Sequence, residues 1–544
     1  MNKTIKLLSI ILIGLGAAAC SSPEKMAEMA KGVQVSCDKD VLEVVAGKID
    51  ADVTVTYPAK YFHPKAILEV TPVIVYEGGE AKMEPYIFQG ENVKDNYQTV
   101  PSKGATVTKK VSFDYAPGME KSYLELRSTV KYKTKATALP SRKVVDGAIT
   151  TYMLVDRKGR IDYKKDDYQD VIKQTAEAQI LYNINSAEVR GNQLRSKSIK
   201  DFQAAIDAIK ANDRMNIVST EVVAYASPDG EEDKNAKLSD NRSKSAEKAF
   251  DTVTKKHSVD APVNVRSIAE DWEGFQELVA QSDIEDKELI IRVLSMYSDP
   301  AVREQEIRNM SAIYQDLAKE VLPELRRARF IANIEFTNYT SEELLSLIDE
   351  NIDVLDEEAL LRSATLVTKP ETRLALYRKA VEKYGSLRAQ YNIGVTYLNQ
   401  NEISKAKNAF AKVPEDGDLY NALGVIALRE GDYNAAAEYF AYANCEAGVE
   451  NAAVIDIIDG EYKAAAQKLE GKTGFNAALS QLLIGNTAPA AALDCECPDA
   501  AYLRAVAAAR QGNAADVKKN LEDATENDRL AARAAKDVEF AQYR

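Results

Sequence analysis

The sequence predicts a multidomain fold: an N-terminal all-β sandwich, a central α/β domain with a helical insertion, and a C-terminal all-α solenoid. Three observations carry that reading. Residues 33–155 alternate or cluster β-branched and aromatic side chains, with Gly and Pro turn signals between the clusters. From Ala178 the pattern changes to strand and helix in alternation. From Ser341 the chain is helical and Ala-rich, with a recurring unit. A chain of 544 residues is too long for one core, so several domains are expected on length alone.

Composition narrows the function classes. Charged residues make up 28 % and hydrophobic residues 45 %, the balance of folded soluble material. A formal net charge of −14 argues against nucleic acid as a partner, because phosphate binding needs surplus Lys and Arg. Two His and five Cys leave little for His-based catalysis or a zinc site.

The first residues address the compartment. Lys3 and Lys6 precede an apolar run, Leu7 to Leu15, and Gly-Ala-Ala-Ala then ends at Cys20. The run is too short for a mature spanning helix, and the small residues read as a processing site. Cys after Ala-Ala resembles the lipobox of bacterial lipoproteins, with Ala17 standing where that motif most often has Leu. The resemblance implies a signal peptide over residues 1–19, lipid on Cys20 inserted in the outer membrane, and a tether over 20–32. The other reading is an ordinary secretory signal that happens to precede a Cys. No acidic run follows Cys20, which favours the periplasmic face over surface display. Cys37, Cys445, Cys495 and Cys497 remain. Cys495-Glu-Cys497 reads as too tightly spaced for an unstrained mutual disulfide or a zinc knuckle. A bridge from Cys445 to one of them and free buried thiols both stay open.

Within residues 33–155, Val53–Tyr57, Ile67–Tyr76, Val107–Phe113 and Tyr123–Tyr132 lead a set of about seven short strands, as in a β-sandwich. Lys103 to Lys143 carries ten Lys or Arg against three Asp or Glu. This basic island reads as a solvated strand face with Lys guarding an edge, or as a surface for lipid head groups or an acidic partner. Asp156 to Asp170 is dense in both charges and reads as a connector.

The α/β domain is expected over residues 170–338. Strands at Ala178–Tyr182, Ile217–Ala226 and Val263–Ile268 alternate with a helix at Ser198–Lys210 and another starting near Asn235. On that second helix Leu238, Ser245, Ala246, Ala249 and Val253 form a stripe, and Arg242 lies on it. A guanidinium at the edge of a buried face needs an anionic partner, from the protein or from a ligand.

Two segments then resemble a family. Ile180-Leu-Tyr-Asn-Ile-Asn-Ser-Ala-Glu188 looks like the opening strand and loop of OmpA-like domains, and Asn235-Ala-Lys-Leu-Ser-Asp-Asn-Arg242 is similar to their Asn-x-x-Leu-Ser-x-x-Arg signature. Such domains clamp the diaminopimelate of peptidoglycan between an Asp at the strand end and an Arg on the following helix, one charge for each end of a zwitterion. Arg242 aligns with that Arg, and Asn235 with a loop position. Ser227 stands where the Asp is expected, and Asp229, two residues on, could replace it, serve only as a turn residue, or pair with Arg242 and close the pocket. The implied ligand-binding set is Ser227, Asp229, Asn235 and Arg242. Before the last strand, Arg326–Phe336, residues 270–325 read as a helical insertion, with Trp272 as its core anchor.

Over residues 340–544, Gly394, Tyr397, Ala406 and Phe410, then Gly424, Gly431, Tyr433, Ala436, Phe440 and Ala443, resemble the small and large positions of tetratricopeptide repeats. Turn glycines at Gly431, Gly460, Gly485 and Gly512 lie 29, 25 and 27 residues apart, shorter than that family's repeat of about 34. Asp528 to Tyr543 reads as a capping helix. Stacked repeats form concave grooves for peptide segments, so a protein partner in the groove is expected.

No Gly-x-Ser-x-Gly elbow, His-Glu-x-x-His or P-loop occurs, and His63 and His257 stand alone. The expectation is therefore a non-catalytic outer-membrane lipoprotein with no cofactor and no metal. It links the membrane to peptidoglycan and recruits a protein through its repeats. The alternative is an accessory or assembly lipoprotein of an envelope complex whose OmpA-like domain is repurposed and binds no wall.

Overall fold

The alternating residues of the N-terminal segment form eleven strands between Gln34 and Ile149 in the computed structural model. They are β1 Gln34–Cys37, β2 Val41–Val45, β3 Lys48–Tyr57, β4 Ile67–Tyr76, β5 Gly79–Lys82, β6 Tyr86–Gln89, β7 Gln98–Thr99, β8 Ala105–Asp114, β9 Ser122–Tyr132, β10 Lys135–Ala138 and β11 Arg142–Ile149. The structure describes residues 23–228, 231–284, 287–309 and 311–544. Period-two burial sets the register of β3 against β8: Ile49, Ala51 and Val53 point inward with Val107, Val111 and Phe113, while Asp50 and Asp52 face outward. β4 pairs antiparallel with β9, and β2 pairs antiparallel with β3 and parallel with β11, joining the two groups of strands.

Part of the basic island is paired with carboxylates of the same sheets. Lys131 meets Glu69 at 2.5 Å, Lys143 meets Asp146 at 2.6 Å, and Arg127 bridges Glu80 and Glu125 at 2.7 and 2.6 Å. Residues 23–32, expected within the tether, are folded. Pro23–Met29 is a helix, and Met26 is fully buried in the apolar core of the sheets.

The chain divides into two units, one made of residues up to Lys164 and from Gln390 onward, the other of residues 165–389. In the first unit one apolar core runs through the sheets and the helical repeats. Thr151 Oγ1 donates to Glu539 at 2.8 Å, Arg533 donates to the Thr150 carbonyl at 2.8 Å, and Gly460 lies so close to Val45 that an added Cβ would be 2.4 Å from its methyl. The sheet-rich segment and the repeats are thus one body rather than two independent domains.

The repeats are antiparallel helix pairs: Leu387–Asn399 with Ile403–Phe410, Gly417–Glu430 with Tyr433–Tyr442, Glu446–Ile458 with Tyr462–Lys468, Phe475–Leu483 with Ala488–Ala491, and Pro498–Gln511 with Ala514–Thr525. Gly394 and Gly424 receive the rings of Phe410 and Phe440, each 2.4 Å from where a Cβ would stand. These aromatics fill the space inside a pair. Cys495 and Cys497 are bonded to each other with Cα atoms 5.4 Å apart, so neither bridges to Cys445, which with Cys37 is a free thiol.

The second unit holds β12 Val171–Leu181, β13 Met215–Tyr225, β14 Val263–Ile268 and β15 Arg327–Thr337, in the order β12-β15-β13-β14. β13 and β14 are parallel and the other pairings antiparallel. Helices Lys197–Lys210 and Glu232–Thr254 bring Ile199, Phe202, Ile206, Ala246, Ala249 and Phe250 to a core with Ala178, Ile180, Val222 and Phe330. The insertion has its own small core around Phe275, Val279, Leu317 and Leu325. Trp272 is half-buried beside it, its ring 5.7 Å from Phe275. Helices Ser341–Glu350, Glu357–Leu366 and Pro370–Tyr384, expected to begin the repeat array, belong to this unit. Arg214 ties the first of them to the sheet by donating to Glu343 at 2.7 Å while stacking on Tyr339 at 4.2 Å.

Candidate functional site

The Arg242 constellation forms where β13 ends and the helix Glu232–Thr254 begins. The buried face of that helix runs through Asn235, Ser239, Arg242, Ala246, Ala249 and Val253, with Leu238 and Ser245 half-buried. Arg242 is 0 % exposed. Its Nε donates to the Ser186 carbonyl at 3.0 Å, one Nη to the Tyr225 carbonyl at 2.8 Å, and the other to the Asn183 carbonyl at 3.2 Å. The guanidinium stacks on the Tyr182 ring at 5.0 Å, and the Tyr182 hydroxyl donates to the Arg242 carbonyl at 3.2 Å. Burial pushes the Tyr182 phenol up, with Ser245 and Arg242 acting against it. A buried charge is tolerated when several acceptors surround it, and here three backbone carbonyls from two segments do so.

Asn235 donates to the Ser227 carbonyl at 3.2 Å and to Glu270 at 3.3 Å, and Ser227 Oγ accepts from Arg326 at 3.3 Å. Asn235 and Ser227 are thus hydrogen-bonded to each other, and Arg242 reaches the Tyr225 carbonyl at the same end of β13. Asp229 lies outside the described residues, as does Cys20. Sequence reasoning missed the neighbouring ion pair. Asp271 caps the helix Trp272–Gln281 through the Gly274 amide at 2.9 Å and binds Arg327 at 3.1 and 2.8 Å, with side chains 5 % and 10 % exposed.

A second site lies in the repeats, and the chain itself fills it. Residues 156–164, read as part of a charged connector, run along the first helices of the repeat pairs. Three asparagines grip this strap in one way, each accepting from the backbone N–H and donating to the C=O of a single residue. Asn476 holds Asp156 at 2.8 and 2.8 Å, Asn451 holds Arg160 at 2.7 and 2.7 Å, and Asn392 holds Lys164 at 2.8 and 2.9 Å. Asn421 supports the middle grip, donating to the Arg160 carbonyl at 3.1 Å and accepting from Asn451 at 2.8 Å.

Side chains add charge pairing. Arg160 meets Glu450 at 2.7 Å, and Lys164 meets Asp416 at 2.5 Å and Asp418 at 3.0 Å. Burial raises the Asp416 carboxyl, but hydrogen bonds from Lys164 and the Leu419 amide outweigh it and hold the group below the usual range. Burial likewise lowers Lys164, and its two carboxylate partners reverse that to leave it raised. Gly159 sits at φ +72° with Val425 2.8 Å from the position of an added Cβ.

The gripping asparagines carried a readable signal. Asn451 and Asn476 stand nine residues ahead of turn glycines Gly460 and Gly485, and Asn392 nine ahead of Asn401, which takes the turn conformation at φ +60°. Among the described residues no helix is long and apolar enough to cross a membrane, and no cluster of His, Cys, Asp or Glu could hold a metal ion.

No family model matches the chain, and no curated protein matches it. Among solved structures it is similar to YrrB, described as a TPR protein with an unusual peptide-binding site, at 23 % identity and a TM-score of 0.21, over 36 % of this chain and 100 % of that one. It is also similar to the APC/C hetero-tetramer Cut9-Hcn1, at 11 % identity and a TM-score of 0.23, over 57 % of this chain and 66 % of that one.

Proposed function

We propose that this protein is a non-catalytic, lipid-anchored envelope scaffold, held to a bacterial outer membrane through Cys20, and that its OmpA-like domain is a folded spacer. The observation that carries this reading is Arg242, which has no exposed surface and directs donors to three backbone carbonyls. A guanidinium so occupied braces the loop of residues 183–186 against the end of β13. The four-stranded sheet with helices packed on it, order β12-β15-β13-β14, supports an α/β frame whose Arg has taken a structural task. The repeat array with its backbone-gripping asparagines supplies the protein-binding character of the scaffold.

The second reading, a wall-linking clamp, is favoured by Arg242 and Asn235 standing at the family's signature positions and by Ser227 lying beside Asn235. Pull-down of the mature protein with peptidoglycan sacculi separates the two. The spacer reading expects no retention, for wild type or for Ser227→Asp. Retention of wild type that Asn235→Ala abolishes overturns it. Crosslinking in cells tests the scaffold itself, which expects specific protein partners and fails if the protein is captured alone.

A further inference from the structure

The strap differs from the residues just before it. Up to Val155 the chain is core, with Tyr152, Leu154 and Val155 buried among the sheets and helices. From Asp156 to Lys164 no residue is buried, and four of the nine are exposed. The strap is held through its backbone at Asp156, Arg160 and Lys164, spaced four apart, and at the Lys158 carbonyl, which accepts from Arg429 at 2.7 Å. Two cations sit in acidic wells, and Ile161 and Tyr163 pack partly buried against the repeats' apolar core. Arg160 lies among Glu450 at 2.7 Å and Glu446 at 3.6 Å, and Lys164 between Asp416 and Asp418. Backbone gripping, with alternate side chains set in pockets and a few charged anchors, is how a groove holds an extended peptide.

The groove also has unused room. A cavity of about 270 Å³ opens beside Arg160, walled by Glu450, Leu469, Lys472 and Phe475. Opposite the strap, Val425 closes to 2.8 Å from a Cβ at Gly159, so only glycine passes there without displacing it.

We propose that the repeat groove is a binding site for an extended basic peptide of pattern Gly-Arg-x-x-x-Lys, and that residues 156–164 are its resident occupant, which a partner segment of the same chemistry displaces. This rests on the scaffold reading and names the partner class of its groove. The occupant is tethered, so its effective concentration is on the order of millimolar, and an incoming segment must outcompete that. The cavity beside Arg160 gives such a segment a place to start while the strap is still seated. Exchange then runs residue by residue along the asparagines, each grip passing from one backbone to the other without leaving a buried amide unpaired.

The test uses the full chain and a fluorescein-labelled synthetic peptide copying residues 156–165. In Gly159→Val the added side chain runs into Val425, so the resident strap is weakened and the groove left in place. The expected result is that this variant binds the peptide at least tenfold more tightly than wild type, and that a peptide with Glu at the positions of Arg160 and Lys164 does not bind. In wild type, excess unlabelled peptide should speed hydrogen exchange of residues 156–164 at least fivefold. If Gly159→Val does not fold, Arg160→Glu, repelled by Glu450, takes its place in the same assay. A folded variant that binds no peptide at millimolar concentration, with exchange in wild type unchanged, overturns the proposal and makes the strap a permanent brace. Partners captured by crosslinking in cells would survive that result, so failure here and failure of the scaffold reading are told apart.

Discussion

Asn451 is the side chain on which the middle of the strap depends, and Asn451→Ala is the sharpest single perturbation of it. Asn451 is 2 % exposed. Its amide accepts from the Arg160 N–H at 2.7 Å and donates to the Arg160 carbonyl at 2.7 Å and to Asn421 Oδ1 at 2.8 Å. Alanine removes all three bonds. The Arg160 amide lies in a half-exposed strap and recovers a water, while Asn421 Oδ1 stays buried, and a buried polar atom without a partner costs about 1–3 kcal/mol. With about 1 kcal/mol for the strap's own bonds, opening of the strap should become easier by about 2–4 kcal/mol. That corresponds to about 30- to 900-fold faster exchange of the Arg160 amide. Hydrogen exchange read by mass spectrometry over residues 156–164 measures it directly, with the repeat helices as an internal reference. Exchange within threefold of wild type in a folded variant would refute the argument, because the three bonds would then carry no load.

Three further outcomes are expected. Gly424→Ala, whose new methyl meets the Phe440 ring at 2.4 Å, should cost about 1–3 kcal/mol in urea unfolding; Phe440→Leu should restore part of that in the double variant, and additive costs would contradict the packing argument. Arg242→Lys keeps the charge but cannot reach three carbonyls in one plane, so exchange at residues 183–186 should rise at least tenfold; unchanged protection there would show that the guanidinium does not brace the loop. Asp416 has a folded-state pKa below its ordinary value of 3.8. Its contribution is therefore fully present above pH 4 and lost as the pH falls through the folded value. Strap exchange, corrected for its intrinsic pH dependence, should rise below pH 4 in wild type and stay flat in Asp416→Asn.

Much of the central domain was legible because its signals are local. The strand Ile217–Ala226, the helix bearing Arg242 and the strand Val263–Ile268 follow from periodicity within single elements, and the structure moves their ends by a few residues. The buried face of that helix, with Arg242 on it, was legible for the same reason. The partners of Arg242 were not, because backbone carbonyls carry no sequence signature. Asp271 and Arg327 lie 56 residues apart across the insertion, and nothing local joins them. The repeats were read from glycines and aromatics, whereas the groove is read from asparagines nine residues ahead of three of the turns, at Asn392, Asn451 and Asn476. That signal is polar, and a search for apolar periodicity passes over it. Joining of the sheets to the repeats was beyond reach for a different reason. Both faces are apolar, and apolar faces do not specify their mate in sequence.

The division of the first unit into two stretches bears on how the molecule assembles. Its sheets are synthesised first, but the helices that complete their core come after residues 165–389, an interval of 225 residues. Closing a flexible loop of that length costs about 5 kcal/mol in chain entropy. The intervening unit reduces that cost by folding on its own, because its two ends meet. Arg388, next to its last residue, donates to the carbonyl of Lys165, its first, at 3.4 Å and to Asp167 at 3.2 Å. Once the middle of the chain has folded, the long loop becomes a short one, and the strands and repeats are delivered to each other as neighbours. In that sense the second unit serves as a buckle between the two stretches of the first, and lesions in it should surface as slow assembly of the repeats.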